Sequence, residues 1–265
     1  MSTDISRDTW NPAQYGRFQS ERSRPFFDLL GLVRARPDMR VADLGCGGGE
    51  LTREMHRTLA ARETIGVDSS AAMLAGAAAP AEDGLRFEQA DLREFAARDA
   101  MREAFDLVLS NATLQWIPEQ AEVIERLTAM LTAEGQLALQ VPSNEDHPSH
   151  AVAREVAGEA PFREALGGHV RRFSNLTPEG YAVLLERLGF REQHVRLQVY
   201  VHHLPSREGV VEWVRGTLLT DYEKRLSPEL FAAFVERYRE RLLPQLDDRQ
   251  PFIYPFKRIL VWGSR

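Results

Sequence analysis

Cysteine is nearly absent from this sequence of 265 residues, and no long apolar run is present. The single thiol, Cys46, cannot form an internal disulfide or a zinc site that needs several thiolates. The first residues are polar and lack the apolar segment of a signal peptide. The longest stretch of small and apolar residues, 71–81, contains Gly76 and Pro80 and is too short to span a bilayer. We therefore expect a cytoplasmic protein that is not embedded in a membrane.

Positive charge is also in deficit, with 33 Lys and Arg against 39 Asp and Glu and a net charge of −6. Such a chain has no global field to hold a polyanion, so nucleic acids and anionic membranes are not expected as partners. Hydrophobic residues make up 43% and charged residues 27%, which is ordinary for a globular protein. We expect a small-molecule substrate, and an anionic one would be held by a local cluster of cations.

Short apolar segments that alternate with helical ones predict the fold. Candidate strands lie at residues 40–44, 64–68, 85–90, 105–109 and 135–141. Helices follow the first, second and fourth of them, at about 50–59, from Ser70 onward, and at 121–131. This alternation is typical of an α/β fold with a parallel, doubly wound sheet.

The regular alternation breaks after residue 142. A helix at 177–188 and strands at 194–202 and 257–262 complete the predicted sheet. Helical stretches near 145–172 and 206–250 are interpreted as a cap inserted into it. The expected organisation is a helical lid at 1–35, a cofactor-binding core at 36–142, and the rest of the sheet with its cap at 143–265.

A glycine-rich turn joins the first candidate strand to the helix after it. Gly45, Gly47 and Gly49 let the backbone turn sharply and approach a ligand closely. The dinucleotide-binding pattern G-x-G-x-x-G would need glycine where Glu50 stands, and no phosphate-binding G-K-[ST] follows. Asp43 and Glu50 flank the turn, so it should repel a pyrophosphate and attract a ligand with a sulfonium and an ammonium group.

Three aspartates stand near the ends of the first three strands. Asp68 ends the second strand, at the position where Rossmann-type sheets bind ribose hydroxyls, and Asp91 after the third would lie beside an adenine. Each of them, like Asp43, could by itself simply cap a helix. Together with the glycine turn they predict that S-adenosylmethionine binds at the carboxyl ends of the strands.

These segments resemble the class I S-adenosylmethionine-dependent methyltransferases. Val41-Ala42-Asp43-Leu44-Gly45-Cys46-Gly47-Gly48-Gly49 is similar to the first motif of that family, and Asp68 and Asp91-Leu92 match its ribose and adenine positions. The resemblance covers about residues 38–142 and implies a Rossmann-like sheet of seven strands whose last strand is antiparallel. The cofactor-binding residues that it implies are Asp43, Gly45, Cys46, Gly47, Gly49, Asp68, Ser69, Asp91, Leu92 and Asn111.

Further segments resemble one group within that family, the trans-aconitate 2-methyltransferases. The segments are Trp10-Asn11-Pro12, Tyr15, Phe18, Glu21-Arg22-Ser23-Arg24-Pro25, Asp68-Ser69-Ser70, Ala112-x-Leu114-Gln115-Trp116 and Glu212-Trp213-Val214. Enzymes of this group esterify a carboxylate of a small tricarboxylic acid. Where the group reads Gly-Leu-Arg-Pro, this chain has Leu218-Leu219-Thr220-Asp221. With an aspartate in place of a cation, we expect a mono- or dicarboxylate acceptor rather than a tricarboxylate.

The residues expected to contact the acceptor are polar, aromatic and cationic. Gln115 and Trp116 follow the fourth strand and would position both ligands, and no catalytic base is needed because a carboxylate is already ionised at neutral pH. The expected substrate-binding residues are Trp10, Tyr15, Arg22, Arg24, Trp116, Arg172 and His202. His147 and His150 have no further ligands at metal-binding spacing, so no metal is expected.

Other functions stay open at this point. A methyltransferase acting on a phenol, an amine or a carbanion would need a histidine or an acid as base. A DNA amino-methyltransferase would carry a sequence like N-P-P-Y where this chain has Asn111-Ala112-Thr113-Leu114. A nicotinamide-dependent dehydrogenase is disfavoured by Glu50, and no feature favours a nucleotide-binding module without activity.

Overall fold

The computed structural model describes residues 19–77 and 82–265, with side chains from residue 23 onward. Seven of the strands in these ranges form one sheet. In chain order they are β1 (Arg40–Leu44), β2 (Glu63–Asp68), β3 (Leu85–Gln89), β4 (Phe105–Asn111), β5 (Leu131–Pro142), β6 (Glu192–Leu204) and β7 (Phe252–Ser264). Their order in the sheet is β3-β2-β1-β4-β5-β7-β6. The first five pair in parallel, and β7 runs antiparallel to β5. The predicted seven-stranded Rossmann-like sheet is confirmed.

Helices connect most of the strands. In chain order they are α1 (Gln19–Leu30), α2 (Glu50–Leu59), α3 (Ala71–Leu74), α4 (Leu92–Ala96), α5 (Gln120–Ala129), α6 (Pro148–Ala157), α7 (Phe162–Ala165), α8 (Pro178–Arg187), α9 (Glu208–Arg215), α10 (Thr220–Glu223) and α11 (Pro228–Leu242). The stretch predicted as helical from residue 206 is not continuous. Gly216 follows the end of α9, and α11 begins anew where Ser227 caps the amide of Leu230 and a proline takes the first helical position. None of the helices described is long and apolar enough to cross a membrane.

The chain folds as two compact units. The core unit consists of Phe18–Ser143, Ser174–Gln198 and Lys257–Arg265. The second unit includes Asn144–Phe173 and Val199–Phe256. Strands β6 and β7 each contribute one part to either unit, so each unit is described by itself below.

The two faces of the sheet in the core unit differ in chemistry. One face is apolar and packs against α5 and α8, with members that include Leu44, Val108, Leu139, Ile124, Leu127 and Leu184. Side chains alternate between faces along a strand, so Asp43 lies on the opposite face. The register pairs Asp43 with Leu109 of β4, and Asn111 at the end of β4 with Gln140 of β5. Asp43, Asn111 and Gln140 therefore share one face.

The second unit has its own aromatic core. Trp213 of α9 stacks on His202 with ring centroids 4.5 Å apart, and Tyr254 and Phe256 of β7 lie edge-on or tilted against the same indole. Tyr238 of α11 donates a hydrogen bond to the backbone oxygen of Ser149 at 2.9 Å. The buried phenol thereby ties α11 to α6.

Candidate functional site

The glycine turn after β1 folds back onto the neighbouring strand β2. The amides of Gly45 and Cys46 both donate to the carbonyl oxygen of Val67, at 2.7 and 3.0 Å. Gly45 has a φ of +84°, and a Cβ atom there would lie 2.0 Å from Thr113 Oγ1. Gly47 also has a positive φ, +58°, but the nearest atom to a Cβ there is the Met73 methyl at 3.2 Å. Gly45 is thus required for the local packing, whereas a side chain at Gly47 would meet only the flexible end of Met73.

Asp68, the last residue of β2, fastens this turn. Its Oδ2 atom accepts the amide of Gly47 at 2.8 Å, and its Oδ1 atom accepts the amide of Ser70 at 2.9 Å. Each carboxylate oxygen has a further lone pair, so ribose hydroxyls could still donate to it. Ser69 beside it is exposed on the surface, and its carbonyl oxygen accepts from the Gln89 amide at 3.2 Å. The sequence prediction places Asp68 and the glycine turn together, as the structure does.

Asp43 is a buried acid beneath the turn. Its side chain is 3% exposed and accepts a hydrogen bond from the Thr52 hydroxyl of α2 at 2.6 Å. Burial raises the pKa of Asp43 to about 7, the Thr52 hydrogen bond opposes that rise, and the negative charge of Asp68 adds to it. This position therefore favours a cation nearby. Burial, together with the neighbouring acids Asp43 and Asp68, raises the pKa of Cys46 far above its usual range, so the thiol stays protonated and does not act as a nucleophile.

Asp91 and Leu92 stand at the start of α4. The Asp91 carboxylate caps the helix through the amide of Arg93 at 2.8 Å and pairs with the Arg93 guanidinium at 2.7 Å. The hydrogen bonds from Arg93 lower the pKa of Asp91. An adenine amino group here would share these oxygens with Arg93. The Leu92 side chain belongs to the apolar core and is 7% exposed, so of this predicted cofactor residue only the backbone can contact a ligand.

Asn111 ends β4, and the loop that follows carries Gln115 and Trp116. Ala112 has a φ of +54°, which is uncommon for a residue with a Cβ. Its carbonyl oxygen accepts a hydrogen bond from the Gln115 side-chain amide at 2.6 Å. Gln115 Oε1 and Asn111 Oδ1 are both buried and have no hydrogen-bond partner among the described residues. Two orphaned acceptors at and just after the end of β4 suit a cationic ligand group.

A buried network behind this loop was not found from the sequence. Gln120 donates to the Leu114 carbonyl at 2.8 Å and to Asn175 Oδ1 at 3.0 Å, and it accepts from the hydroxyl of Tyr181. Asn175 in turn donates to the Pro142 carbonyl at 2.6 Å. The network fastens the loop that carries Gln115, and its members are too far apart in sequence for spacing to reveal them.

The described residues at these strand ends fit S-adenosylmethionine. The glycines of the turn offer backbone without side chains, Asp68 has lone pairs left for ribose hydroxyls, and Asp43 with the orphaned oxygens of Asn111 and Gln115 offers acceptors for an ammonium group. A pyrophosphate would meet acids instead of the amides and cations that it needs.

The second unit holds two of the predicted acceptor residues. His202 is 4% exposed and stacks on Trp213. Arg172 is exposed, whereas the adjacent Arg171 is 7% exposed and lies with its guanidinium carbon 5.1 Å from the Phe173 ring. Burial lowers the pKa of Arg171 to about 10. Within this unit the buried cation is Arg171, and the sequence pattern did not distinguish it from its neighbour.

Histidines 147 and 150 both contact the side chain of Ser149. Their Nδ1 atoms lie 2.9 and 3.0 Å from the Ser149 hydroxyl, which also lies 3.1 Å from the Tyr254 hydroxyl. Burial, with the positive charge of Arg171 next in effect, lowers the pKa of His150 to about 3, so this ring is neutral. No group of three or more His, Cys, Asp or Glu in the described ranges could hold a metal ion.

The remaining predicted residues belong to the amino-terminal segment. Trp10, Tyr15 and the side chain of Arg22 lie outside the described residues. Arg24 is exposed on α1. Their predicted contacts with the acceptor stay predictions.

Comparison with known proteins assigns the family. A methyltransferase domain family matches residues 35–175. Trans-aconitate 2-methyltransferase of Deinococcus radiodurans is 40% identical over 263 residues, which cover 97% of this chain and 98% of that one. The chain belongs to this methyltransferase family. The enzyme of the same name from Escherichia coli is 34% identical, over 97% of this chain and 98% of its own. The predicted S-adenosylmethionine-dependent methyltransferase, with that cofactor, is confirmed.

Solved structures with low sequence identity agree on the fold. The YcgJ protein of Bacillus subtilis superposes with a TM-score of 0.58 at 17% identity, over 90% of this chain and 98% of its own. Phosphoethanolamine N-methyltransferase 2 of Haemonchus contortus, solved with S-adenosylhomocysteine, gives a TM-score of 0.55 at 15% identity, over 94% of this chain and 53% of its own. At these identities the likeness is one of architecture.

Proposed function

We propose that this protein transfers a methyl group from S-adenosylmethionine to a carboxylate of a small organic acid and releases a methyl ester. The observation that supports this most is the name carried by relatives at 34–40% identity over nearly the whole chain, trans-aconitate 2-methyltransferase. The acceptor is a small anion of that chemical class.

Each cofactor residue has a role that its position supports. Asp68 accepts from the ribose hydroxyls while it holds the amide of Gly47. Asp91 lies beside the adenine ring, after β3. Asp43 supplies a negative charge for the ammonium group, and Asn111 Oδ1 supplies an acceptor. These assignments follow the order β3-β2-β1-β4, along which the ligand would lie at the carboxyl ends of the strands.

S-adenosylmethionine supplies, when bound, an activated methyl group that passes to an acceptor oxygen while the sulfur keeps the electron pair. The chain has to hold the acceptor in line with that group and exclude water. Gln115 and Trp116 suit this task because their loop is fastened by the buried Gln120 and Asn175 network. A loop held this way positions a ligand without a catalytic base.

The histidines of the core unit do not suit the role of base. The described residues of this unit include two histidines, His56 and His194. His56 is occupied by Thr64 Oγ1 at 2.8 Å and by the Asp83 carbonyl at 3.0 Å, and His194 is exposed on β6. This favours an acceptor that is already ionised, which is what a carboxylate offers at neutral pH.

Asp221, the departure from the related enzymes, is paired within the second unit. Its Oδ2 atom lies 2.8 Å from His169 Nε2, and its Oδ1 atom lies 3.5 Å from the Arg225 guanidinium. Its charge also favours the charged form of Arg171. Asp221 thus partly neutralises three cationic or basic side chains, which supports a mono- or dicarboxylate acceptor over a tricarboxylate.

Transfer of a tritiated methyl group to a panel of mono-, di- and tricarboxylic acids, including trans-aconitate, tests the proposal. A methyl ester releases the label as methanol in base, whereas ethers, amines and C-methyl products keep it. The expected result is a base-labile product. A base-stable product would instead indicate a phenol, an amine or a carbon acid as the acceptor, which needs a base from the chain.

A further inference from the structure

A buried arginine lies on β7 at the end of the sheet where the candidate site stands. Arg258 is 6% exposed, and its Nη1 atom donates to Gln140 Oε1 of β5 at 3.3 Å. Its strand register places it opposite Pro142, the last residue of β5. Because β5 ends there, Arg258 lies at the carboxyl ends of the parallel strands, where such sheets bind ligands.

Gln140 connects this arginine to the loop after β4. It is 1% exposed, and its register partner on β4 is Asn111. Its Oε1 atom is taken by Arg258, but its Nε2 atom has no hydrogen-bond partner among the described residues. A buried amide donor left without an acceptor is costly, and an incoming anionic oxygen would satisfy it.

The polar atoms along this end of the sheet are hydrogen-bond acceptors on one side and hydrogen-bond donors on the other. On β1, on β4 and in the loop after β4 they are acceptors: the Asp43 carboxylate and the orphaned oxygens of Asn111 and Gln115. On β5 and β7 they are donors: Gln140 Nε2 and the Arg258 guanidinium. Neighbouring strands are about 4.8 Å apart, so Asn111 and Gln140 lie one strand spacing from each other, whereas Asp43 on β1 and Arg258 on β7 lie on strands three spacings apart, roughly 14 Å. That span separates a cationic ligand group from an anionic one.

We infer that Arg258 and Gln140 together hold a carboxylate of the methyl acceptor, and that this carboxylate is not the one that is methylated. The inference rests on the proposed carboxylate methylation. An arginine that pairs with a carboxylate stabilises the negative charge on the carboxylate oxygens, so that the carboxylate becomes a poorer nucleophile. A carboxylate held at Arg258 is therefore an anchor, and a second acidic group of the acceptor attacks the methyl. The acceptor is a dicarboxylate, or a larger acid with two free carboxylates.

Two substitutions remove this anchor by different routes. Gln140→Glu keeps the size of the side chain, removes the donor, and places a negative charge beside Arg258. Arg258→Gln removes the cation. Arg34→Gln is the matched control, because Arg34 contacts the far end of β5 through Gln136 and its guanidinium pairs with Glu192 at 2.6 Å.

Calorimetry with S-adenosylhomocysteine present measures acid binding without chemistry. The expected result is that Gln140→Glu and Arg258→Gln each weaken binding of trans-aconitate about 10- to 100-fold. The affinity for S-adenosylhomocysteine should stay within about twofold, and Arg258→Lys should recover part of the loss. Arg34→Gln should bind the acid as the wild type does. Circular dichroism checks that each variant is folded.

A monocarboxylate separates anchoring from attack. The single carboxylate of crotonate cannot be held at Arg258 and be methylated at the same time, so its slow methyl transfer, measured as kcat/KM, should not respond to Gln140→Glu. If folded Gln140→Glu binds trans-aconitate as tightly as the wild type, or if the wild type binds no di- or tricarboxylate, the anchor is refuted. A wild type that binds these acids yet forms a base-stable product would refute the methyl ester and leave the anchor standing.

Discussion

Asp68 Oδ2 accepts the backbone amide of Gly47 at 2.8 Å, so the acid that is expected to bind the ribose also fixes the shape of the glycine turn. A change at Asp68 should affect both functions. We expect Asp68→Asn to weaken S-adenosylhomocysteine binding by about 1–3 kcal/mol, because an amide nitrogen would face a backbone donor. Isothermal calorimetry measures this loss.

Asp106→Asn serves as the control for that substitution. Asp106 accepts the amide of Arg40 at 2.9 Å, at the opposite end of β1 and β4. Its loss should lower the melting temperature and leave the cofactor affinity unchanged. Equal affinity losses in the Asp68→Asn and Asp106→Asn variants would assign the effect of Asp68 to general stability.

Gly45 and Gly47 should fail in different ways when they are substituted. Gly45→Ala brings a Cβ atom to 2.0 Å from Thr113 Oγ1 at a φ of +84°, so we expect a loss of unfolding free energy of more than the ~1–2 kcal/mol of left-handed strain. Gly47→Leu carries that strain without such a clash, so it should fold and yet not bind S-adenosylhomocysteine.

Chemical denaturation and calorimetry on both variants test this difference. Gly76→Ala is the control, because nothing lies within 4 Å of a Cβ at Gly76. It should change neither quantity. A folded Gly47→Leu variant with the affinity of the wild type would place the ligand elsewhere.

The sequence was most informative where local rules decide the structure. The bounds predicted for β1 and α2 coincide with those observed, because a buried strand, a glycine turn and an amphipathic helix follow one another directly. The predicted helix after Ser70 is only Ala71–Leu74, and β5 is longer than predicted. Helix and strand ends depend on tertiary contacts that local pattern does not contain.

The residues of the candidate site also fall into two groups, those that could be predicted from the sequence and those that depend on tertiary structure. The glycine turn and Asp68 were predictable because their roles follow from position at a strand end. Gln140 and Arg258 are 118 residues apart and meet only because β7 inserts beside β5. Arg171 and Arg172 are the same residue type in sequence, and only the packing of the second unit shows which one is buried.

The amino-terminal segment is expected to act as a lid. This prediction rests on the group of aromatic and cationic residues before β1, which include Trp10, Tyr15 and Arg24. Segments of this kind order on ligand binding and shield a reaction from water. Amide hydrogen exchange over residues 10–24 should slow when S-adenosylhomocysteine is added, while exchange in α11 stays as it was. Identical exchange with and without the ligand would show that this segment does not close as a lid.

Asp43 should make both stability and cofactor binding depend on pH. Burial raises the pKa of this carboxyl from 3.8 to about 7 in the folded protein. The folded state therefore holds a proton that the unfolded state releases, and the stability from this group is complete below about pH 4 and is lost as pH rises through about 7. The loss is on the order of 4 kcal/mol. Asp43→Asn should remove this slope, so that the variant is more stable than the wild type at pH 8.

Cofactor binding reverses the effect of burial on Asp43, because an ammonium group nearby favours the carboxylate. At pH 6.5 the wild type should release a proton when S-adenosylhomocysteine binds, and calorimetry in buffers with different ionisation enthalpies counts that proton. Asp43→Asn should release none and should bind more weakly. Thr52→Val removes the 2.6 Å hydrogen bond that lowers the pKa of Asp43, so the decline of its stability should continue to a higher pH than that of the wild type. A wild type with no proton release at pH 6.5 and no stability slope between pH 5 and 8 would mean that Asp43 does not titrate in this range and is not the counter-charge of the cofactor.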